Sequence, residues 1–174
     1  MNDFKSLYTS DLARFNGGGS SFLRKFYYFF RKSAATKNPL LRLYYRWRFK
    51  MLKEKRGIEI YYGTDIGPGL YLGHVYNITI NAACVIGKNC NIHKGVTIGQ
   101  ENRGRRKGTP VIGDCVWIGV NATIVGNIHI GNDVLIAPNS YVNCDVPDHS
   151  IVIGNPCVIK HRENATEDYI NSKI

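Results

Sequence analysis

The run Ile66-Gly67-Pro68-Gly69-Leu70-Tyr71-Leu72-Gly73-His74 opens a stretch, residues 66–154, whose reading decides the fold. Aliphatic residues mark Ile66, Leu72, Ile80, Ile86, Ile92 and Ile98, then Ile112, Ile118, Ile124, Ile130, Ile136 and Val142. Glycine often follows, as at Gly67, Gly73, Gly87, Gly99, Gly113, Gly119 and Gly131. Four places after each aliphatic comes a small or branched residue: Cys84, Cys90, Val96, Val116, Ala122, Ile128, Val134 and Ser140. A period of six matches neither the helical 3.6 nor the strand 2, so helices and plain hairpins are excluded. It is the pattern of a parallel β-helix, in which each hexapeptide gives one short strand and one turn. The aliphatic residue points inward, the small residue lets the corner pack, and glycine permits the turn. Roughly three hexapeptides close a coil, and stacked coils satisfy one another's backbone groups.

Two interruptions break the rhythm. Leu72 to Ile80 spans eight residues, with the excess around Val75-Tyr76-Asn77, immediately after His74. Ile98 to Ile112 spans fourteen, so a loop over residues 100–110 is extruded, carrying Arg103, Arg105, Arg106 and Lys107. Interruptions of a regular solenoid commonly carry function. His74 is thus a titratable group set where the repeat breaks.

Outward from the repeat, the chain divides into a basic aromatic helical segment (1–57), the β-helix (58–157) and a polar tail (158–174). Residues 2–15 suggest short helical structure, ended by Gly17-Gly18-Gly19. Residues 22–56 read as two helices broken near Lys37-Asn38-Pro39, with aromatic and aliphatic residues three and four apart and Arg or Lys between. Glu54 is the only acid in that segment. Such a segment fits the inner surface of a membrane or a lipid-linked glycan. It equally fits helices packed on the main domain or on a neighbouring subunit, their basic side chains covering apolar surface.

The 174 residues suit one domain with an appendage, and the formal charge is +10. That charge raises nucleic acid as a partner, but no zinc-finger, helix-turn-helix or RNP-type pattern accompanies it. The five cysteines include no C-x-x-C, and Cys84 and Cys90 fall at equivalent repeat positions. They read as small buried side chains in a reducing cytosol, not as disulfides or a zinc site. No apolar h-region follows Met1-Asn2-Asp3-Phe4, and no run approaches the ~20 residues of a membrane span. A cytoplasmic location is expected, peripheral on the membrane if residues 22–56 bind lipid.

From Ile58 to Arg162 the sequence resembles the hexapeptide-repeat acyltransferases, and within them the serine acetyltransferase branch. The matching residues run from Glu59-Ile60 through Ile66 to His74, followed by Val96-Thr97-Ile98-Gly99 and the fourteen-residue step. The resemblance implies a left-handed coil, an exception to the right-handed crossover rule. It implies a homotrimer with active sites between subunits, acetyl-CoA as acetyl donor, and no metal. His74 falls at the family's catalytic histidine and Glu59 where it keeps an acidic partner, usually aspartate. Backbone around Gly119-Val120 and Ala137-Pro138 would receive the pantetheine arm, and Lys160 and Arg162 would meet the phosphates. The loop basics would close over an anionic acceptor or over CoA.

Three departures bear on the acceptor. Gly73 stands where the branch has aspartate, Thr109 where it has a second histidine, and some sixty residues replace a long helical domain. Short members of the branch act on sugar hydroxyls and often open with a segment like Ser10-Asp11-Leu12-Ala13-Arg14-Phe15. The expectation is therefore an O-acetyltransferase acting on a sugar hydroxyl of a surface polysaccharide or its precursor. Serine O-acetylation for cysteine biosynthesis is the alternative, and a non-catalytic β-helix binding protein a second. A γ-type carbonic anhydrase would need two histidines about five apart plus a third, and His74, His93, His129, His149 and His161 lack that spacing.

The chemistry expected of His74 is general-base catalysis. A neutral imidazole takes the alcohol proton as the oxygen attacks the thioester, then returns it to the thiolate. Glu59 would fix the tautomer and stabilise the imidazolium. A backbone N–H at a coil corner would serve the oxyanion. The other histidines read as turn or surface residues, with His93, in the following coil, the first to examine.

Overall fold

The computed structural model describes residues 3–174; Met1 and Asn2, on which part of the N-terminal reading falls, lie outside the described residues. Three helices precede a β-helix of three parallel faces. The first face stacks β1 (Glu59–Ile60), β4 (Thr79–Ile80), β7 (Thr97–Gly99), β10 (Thr123–Val125) and β13 (Tyr141–Val142). The second stacks β2 (Asp65–Ile66), β5 (Val85–Ile86), β8 (Val111–Ile112) and β11 (His129–Ile130). The third stacks β3 (Tyr71–Gly73), β6 (Asn91–His93), β9 (Trp117–Ile118), β12 (Val134–Ile136) and β14 (Ser150–Ile153). The coil is left-handed. A final strand, β15 (Val158–His161), turns back antiparallel on β14 and ends the parallel stacking.

Register shows why the six-residue period holds. Leu72, Ile92, Ile118, Ile136 and Val152 form one buried column. Ile60, Ile80, Ile98, Ile124 and Val142 form a second. Ile66, Ile86, Ile112 and Ile130 form a third, which Val146 extends. Each such side chain contributes about 1.5–3 kcal/mol on burial. The second repeat position, from Cys84 to Ser140, is buried throughout. Burial pushes the Cys84 thiol up to about 11 and the Cys90 thiol up to about 12, so these two are inert packing groups. All five cysteines are free.

The repeat glycines have a different reason from the expected one. Gly67 follows its aliphatic residue without a positive φ; instead, a Cβ there would lie 2.7 Å from the Gly87 backbone of the next coil. Close coil-to-coil approach selects glycine. Several left-handed turn positions carry asparagine, as at Asn89, Asn121 and Asn139, which tolerates that backbone region.

The helices cover the open end of the solenoid. They are α1 (Phe4–Ala13), α2 (Ser21–Ala35, capped by the Ser20 side chain) and α3 (Pro39–Glu54, capped by Asn38). Helix α2 buries Leu23, Phe26, Tyr27 and Phe30 at three- and four-residue spacing. Strands β1, β2 and β3 are edges whose outward backbone groups need partners. Tyr27 accepts from Leu72 N–H (3.0 Å), and Asp11 accepts from Leu70 N–H (2.9 Å). Arg31 donates to Ile66 O (2.6 Å) and Gly67 O (2.8 Å) and forks onto both Asp11 oxygens. Burial pushes the Asp11 carboxyl up, and Arg31 offsets part of that. Helix α3 buries only Phe49 and leaves Leu40, Leu43, Tyr44, Trp47 and Met51 exposed. No helix among the described residues is long and apolar enough to cross a membrane.

Candidate active site

His74 lies at the corner between β3 and β4, with φ at +51°, a region uncommon for a non-glycine residue. The two extra residues of the eight-residue step build this corner. Val75 anchors it inward, Tyr76 O accepts from Gly95 N–H (3.0 Å), and Asn77 N–H donates to Arg56 O (2.9 Å). The Arg56 guanidinium stacks on Tyr76, 4.6 Å from its centroid. His74 is exposed, and no hydrogen bond or ion pair involves its ring among the described residues. A free imidazole held out on a fixed corner is available to an incoming hydroxyl.

Glu59 sits on β1, beside the strand into which the corner runs. Its N–H donates to Ile78 O (2.8 Å), and Glu59 pairs in register with Thr79. Its side chain is exposed. The two residues share a corner, and no hydrogen bond joins Glu59 to His74 among the described residues.

His93, read from sequence as a turn or surface residue and the first to examine, is half-buried on β6. It lies directly below Gly73 in register. A Cβ on Gly73 would come within 2.4 Å of His93 Nδ1, so the glycine makes room for this ring. The His93 and His74 ring centroids are 6.5 Å apart, and Trp117 packs 4.8 Å from His93. Burial first, then the neighbouring His74, lowers the His93 pKa and favours its neutral form. Its Nε2 is buried without a partner. The signal was present in the sequence: His93 follows Ile92 as Gly73 follows Leu72, which stacks the two positions.

The expected cofactor residues fall further along the same edge. Gly119, Val120, Ala137 and Pro138 follow β9 and β12 on the corner two and three coils beyond His74. Gly119 is required by close packing, since a Cβ would lie 2.6 Å from Pro138 N. The Val120 carbonyl is already used by Asn139 N–H (2.9 Å) and the Ala137 N–H by Val152 O (2.8 Å). Lys160 and Arg162 are exposed at the far end, where Arg162 N–H donates to His149 O (2.7 Å). Four interstrand steps of about 4.8 Å put β3 about 19 Å from β14, so the edge suits an extended ligand with an anionic end. Thr109 donates to Ala83 O (3.1 Å) and closes the extruded loop, whose Arg103, Arg105 and Lys107 are exposed.

The C-terminal tail is more ordered than its polarity suggests. Asp133 accepts from His149 Nδ1 (2.9 Å), from the N–H groups of Ala165 (2.9 Å) and Thr166 (3.0 Å), and from the Thr166 hydroxyl (2.6 Å). Asn89 then holds Ile174 through two hydrogen bonds. The tail thereby returns to the first coils and brings Tyr169 against Trp117, with centroids 5.0 Å apart.

Comparison with known proteins agrees with the β-helix fold. The family described as bacterial transferase hexapeptide (six repeats) matches residues 109–144. The chain is 43% identical over 100 residues to the serine acetyltransferase of Staphylococcus aureus, covering 58% of this chain and 47% of that protein. It is 40% identical over 107 residues to the Staphylococcus epidermidis serine acetyltransferase, covering 62% and 50%. The chain thus spans about half the length of these relatives. Among solved structures, the soybean serine acetyltransferase apoenzyme superposes with a TM-score of 0.72 at 26% identity, covering 90% of this chain and 69% of that one. The Neisseria gonorrhoeae serine acetyltransferase in complex with serine gives 0.70 at 27%, with the same coverage.

These findings correct the acceptor expected from sequence. The sugar hydroxyl of a surface polysaccharide is overturned by relatives and structural neighbours that are named serine acetyltransferases, one of them bound to serine. Gly73, one of the three departures behind the sugar expectation, answers to the His93 ring packed against it. The serine alternative is the better supported one.

Proposed function

We propose that this hexapeptide-repeat β-helix, similar in sequence and fold to serine acetyltransferases, is an acetyl-CoA-dependent O-acetyltransferase with serine as its acceptor. The observation that carries the reading is His74, exposed and without a hydrogen-bond partner among the described residues, on a left-handed corner at the repeat's interruption. Acetyl-CoA would supply the activated acyl group. One ring nitrogen of His74 takes the serine hydroxyl proton as the oxygen attacks, and later delivers it to the departing sulfur. Glu59 orients the ring through the other nitrogen; its exposed carboxylate and its strand beside the corner support that role. Gly119, Val120, Ala137 and Pro138 form the corner that receives the pantetheine arm, while Lys160 and Arg162 pair with the phosphates.

In this reading residues 1–57 cap and position, 58–157 catalyse and 158–174 close the site. The active form is a homotrimer with sites between subunits. The exposed Val85 and Val111, adjacent in register on the second face, support a subunit contact there. The α3 stripe supports a peripheral contact with an anionic membrane surface on the cytoplasmic side. Leu40, Leu43, Trp47 and Met51 lie on one exposed face, flanked by Arg42, Arg46 and Lys50.

Thiol release from acetyl-CoA tests the reading. The expected result is release that depends on added L-serine and yields O-acetylserine by mass spectrometry. Release unchanged by serine would sink it.

A further inference from the structure

Cys144 and Cys157 are 13 positions apart in the chain, and their sulfurs meet at 3.8 Å, a hydrogen-bond contact between two free thiols. No other pair of thiols is hydrogen-bonded among the described residues. Both side chains are half-buried, unlike Cys84 and Cys90, which are sealed inside the coils.

The backbone holds each partner in place. Cys144 follows β13, and beside it the Asp145 carboxylate accepts from His129 N–H (2.7 Å), while Val146 N–H donates to His129 O (2.9 Å). Cys157 lies in the turn between β14 and β15 and packs on the hydrophobic core. Earlier in that turn, Gly154 O accepts from Tyr141 N–H (3.0 Å), and Gly154 N–H donates to the Ser140 hydroxyl (3.0 Å). These bonds tie the turn to β13, so the two thiols stay together while the last coil and the hairpin stay folded. A disulfide has an S–S bond of about 2.05 Å, so the sulfurs need less than about 2 Å of approach. Burial first, then the Cys157 thiol, raises the Cys144 pKa, and the Arg106 charge of the extruded loop works against that rise.

We propose that Cys144 and Cys157 are an oxidation site, at which a hydroperoxide converts the dithiol into an intrachain disulfide that staples the last coil to the closing hairpin. Cys157 gives up its proton, and its sulfur takes one oxygen of hydrogen peroxide as the O–O bond breaks. The other oxygen leaves as water with that proton, and a sulfenic acid remains. The Cys144 sulfur then displaces the hydroxyl group, which leaves as a second water with the Cys144 proton, and the S–S bond forms. Two thiols thus supply two electrons and two protons, and the peroxide is reduced to two waters. The raised pKa of Cys144 suits the second step, in which it acts on a sulfur already in contact with it. The closed loop, residues 144–157, encloses β14, so the last parallel strand and its hairpin are tied to the coil beneath.

The test needs no acetyl transfer, so its failure is distinguishable from that of the proposed function. Reduced full-length protein is treated with a few-fold excess of hydrogen peroxide, unfolded, alkylated with N-ethylmaleimide and weighed. Two of the five thiols are expected to escape alkylation. Cleavage before aspartate separates the partners, since Asp145 and Asp148 lie between them. Peptides 133–144 and 148–167 are expected as one linked species that dithiothreitol splits. The oxidised protein is expected to melt at least about 4 °C above the reduced one. Cys144→Ser and Cys157→Ser are each expected to lose the linked species and the rise in melting, and Cys115→Ser to keep both. Should a serine variant not fold, the linked peptides of the wild-type protein decide alone. Five alkylated thiols, or a bond through Cys115 or between two chains, overturns the site. A bond between Cys144 and Cys157 without the rise in melting overturns the staple.

Discussion

Replacing His74 by alanine removes the ring presented at the β3–β4 corner without touching the buried columns. Thiol release is expected to fall about 10²–10⁴-fold, the usual contribution of a positioned base. Acetyl-CoA binding, followed by calorimetry, is expected to stay within a factor of two or so of wild type, since His74 is not among the binding residues. Gly73 and His93 give a paired prediction. Gly73→Ala sets a methyl group 2.4 Å from His93 Nδ1, so the ring or the strand must move. Overpacking of this kind costs about 1–3 kcal/mol. His93→Ala in the same chain removes the obstacle, and the double variant is expected to melt above Gly73→Ala alone. A double variant that melts no higher would mean the glycine answers to something other than His93.

At the scale of elements, two polar clusters hold the walls of the site. Tyr27 gives the edge strand β3 a hydrogen bond at Leu72, two residues from His74. Tyr27→Phe leaves that buried N–H unpaired, at a cost of about 1–3 kcal/mol in chemical denaturation. Asp133 holds the returning C-terminal tail. Burial works against its ionisation, yet Thr166, His149 and two backbone amides hold its carboxyl below the ordinary 3.8. The Asp133 carboxylate, acting against a smaller desolvation penalty, raises the His149 pKa above 6.5. The signs follow from linkage. The Asp133 contribution is present above its unfolded value and is lost as pH falls through the folded one. The His149 contribution is present below its unfolded value and is lost as pH rises through the folded one. Hydrogen exchange at Tyr169 and Ile170 is expected to be slowest, after correction for intrinsic rates, between those limits. In Asp133→Asn the protection is expected to be lost and its pH dependence flattened.

At the scale of the whole molecule, the solenoid is a stack whose open end is closed by helices and whose far end is closed by the β14–β15 hairpin. Light scattering is expected to give a mass near three times the 19.6 kDa chain. A monomer that still turns over serine would remove the need for intersubunit sites. The apolar stripe of α3 has no cover among the described residues, and its flanking cations repel a second copy of the same face. Sedimentation with phosphatidylglycerol vesicles is expected, weakening as salt rises past the point where the Debye length falls below about 8 Å. Trp47→Ala is expected to reduce it; equal sedimentation with neutral vesicles would argue against the charge-based reading.

The sequence alone determined the β-helix, because an inward aliphatic every sixth residue is a local requirement repeated in every coil. It also marked His74, since the eight-residue step shows in the spacing itself. The helix break at Asn38-Pro39 was legible because proline and an N-cap act locally. What only the tertiary structure decided depends on residues far apart in the chain. Gly73 is small because of His93, twenty positions on, and Gly67 because of Gly87. Arg14 is buried because Asn91 and Asn171, far along the chain, close around it. Spacing reports what each coil needs for itself; the cavity lined by Arg14, His93 and Tyr169 is made where helix, face and returning tail converge, and no local pattern records that meeting.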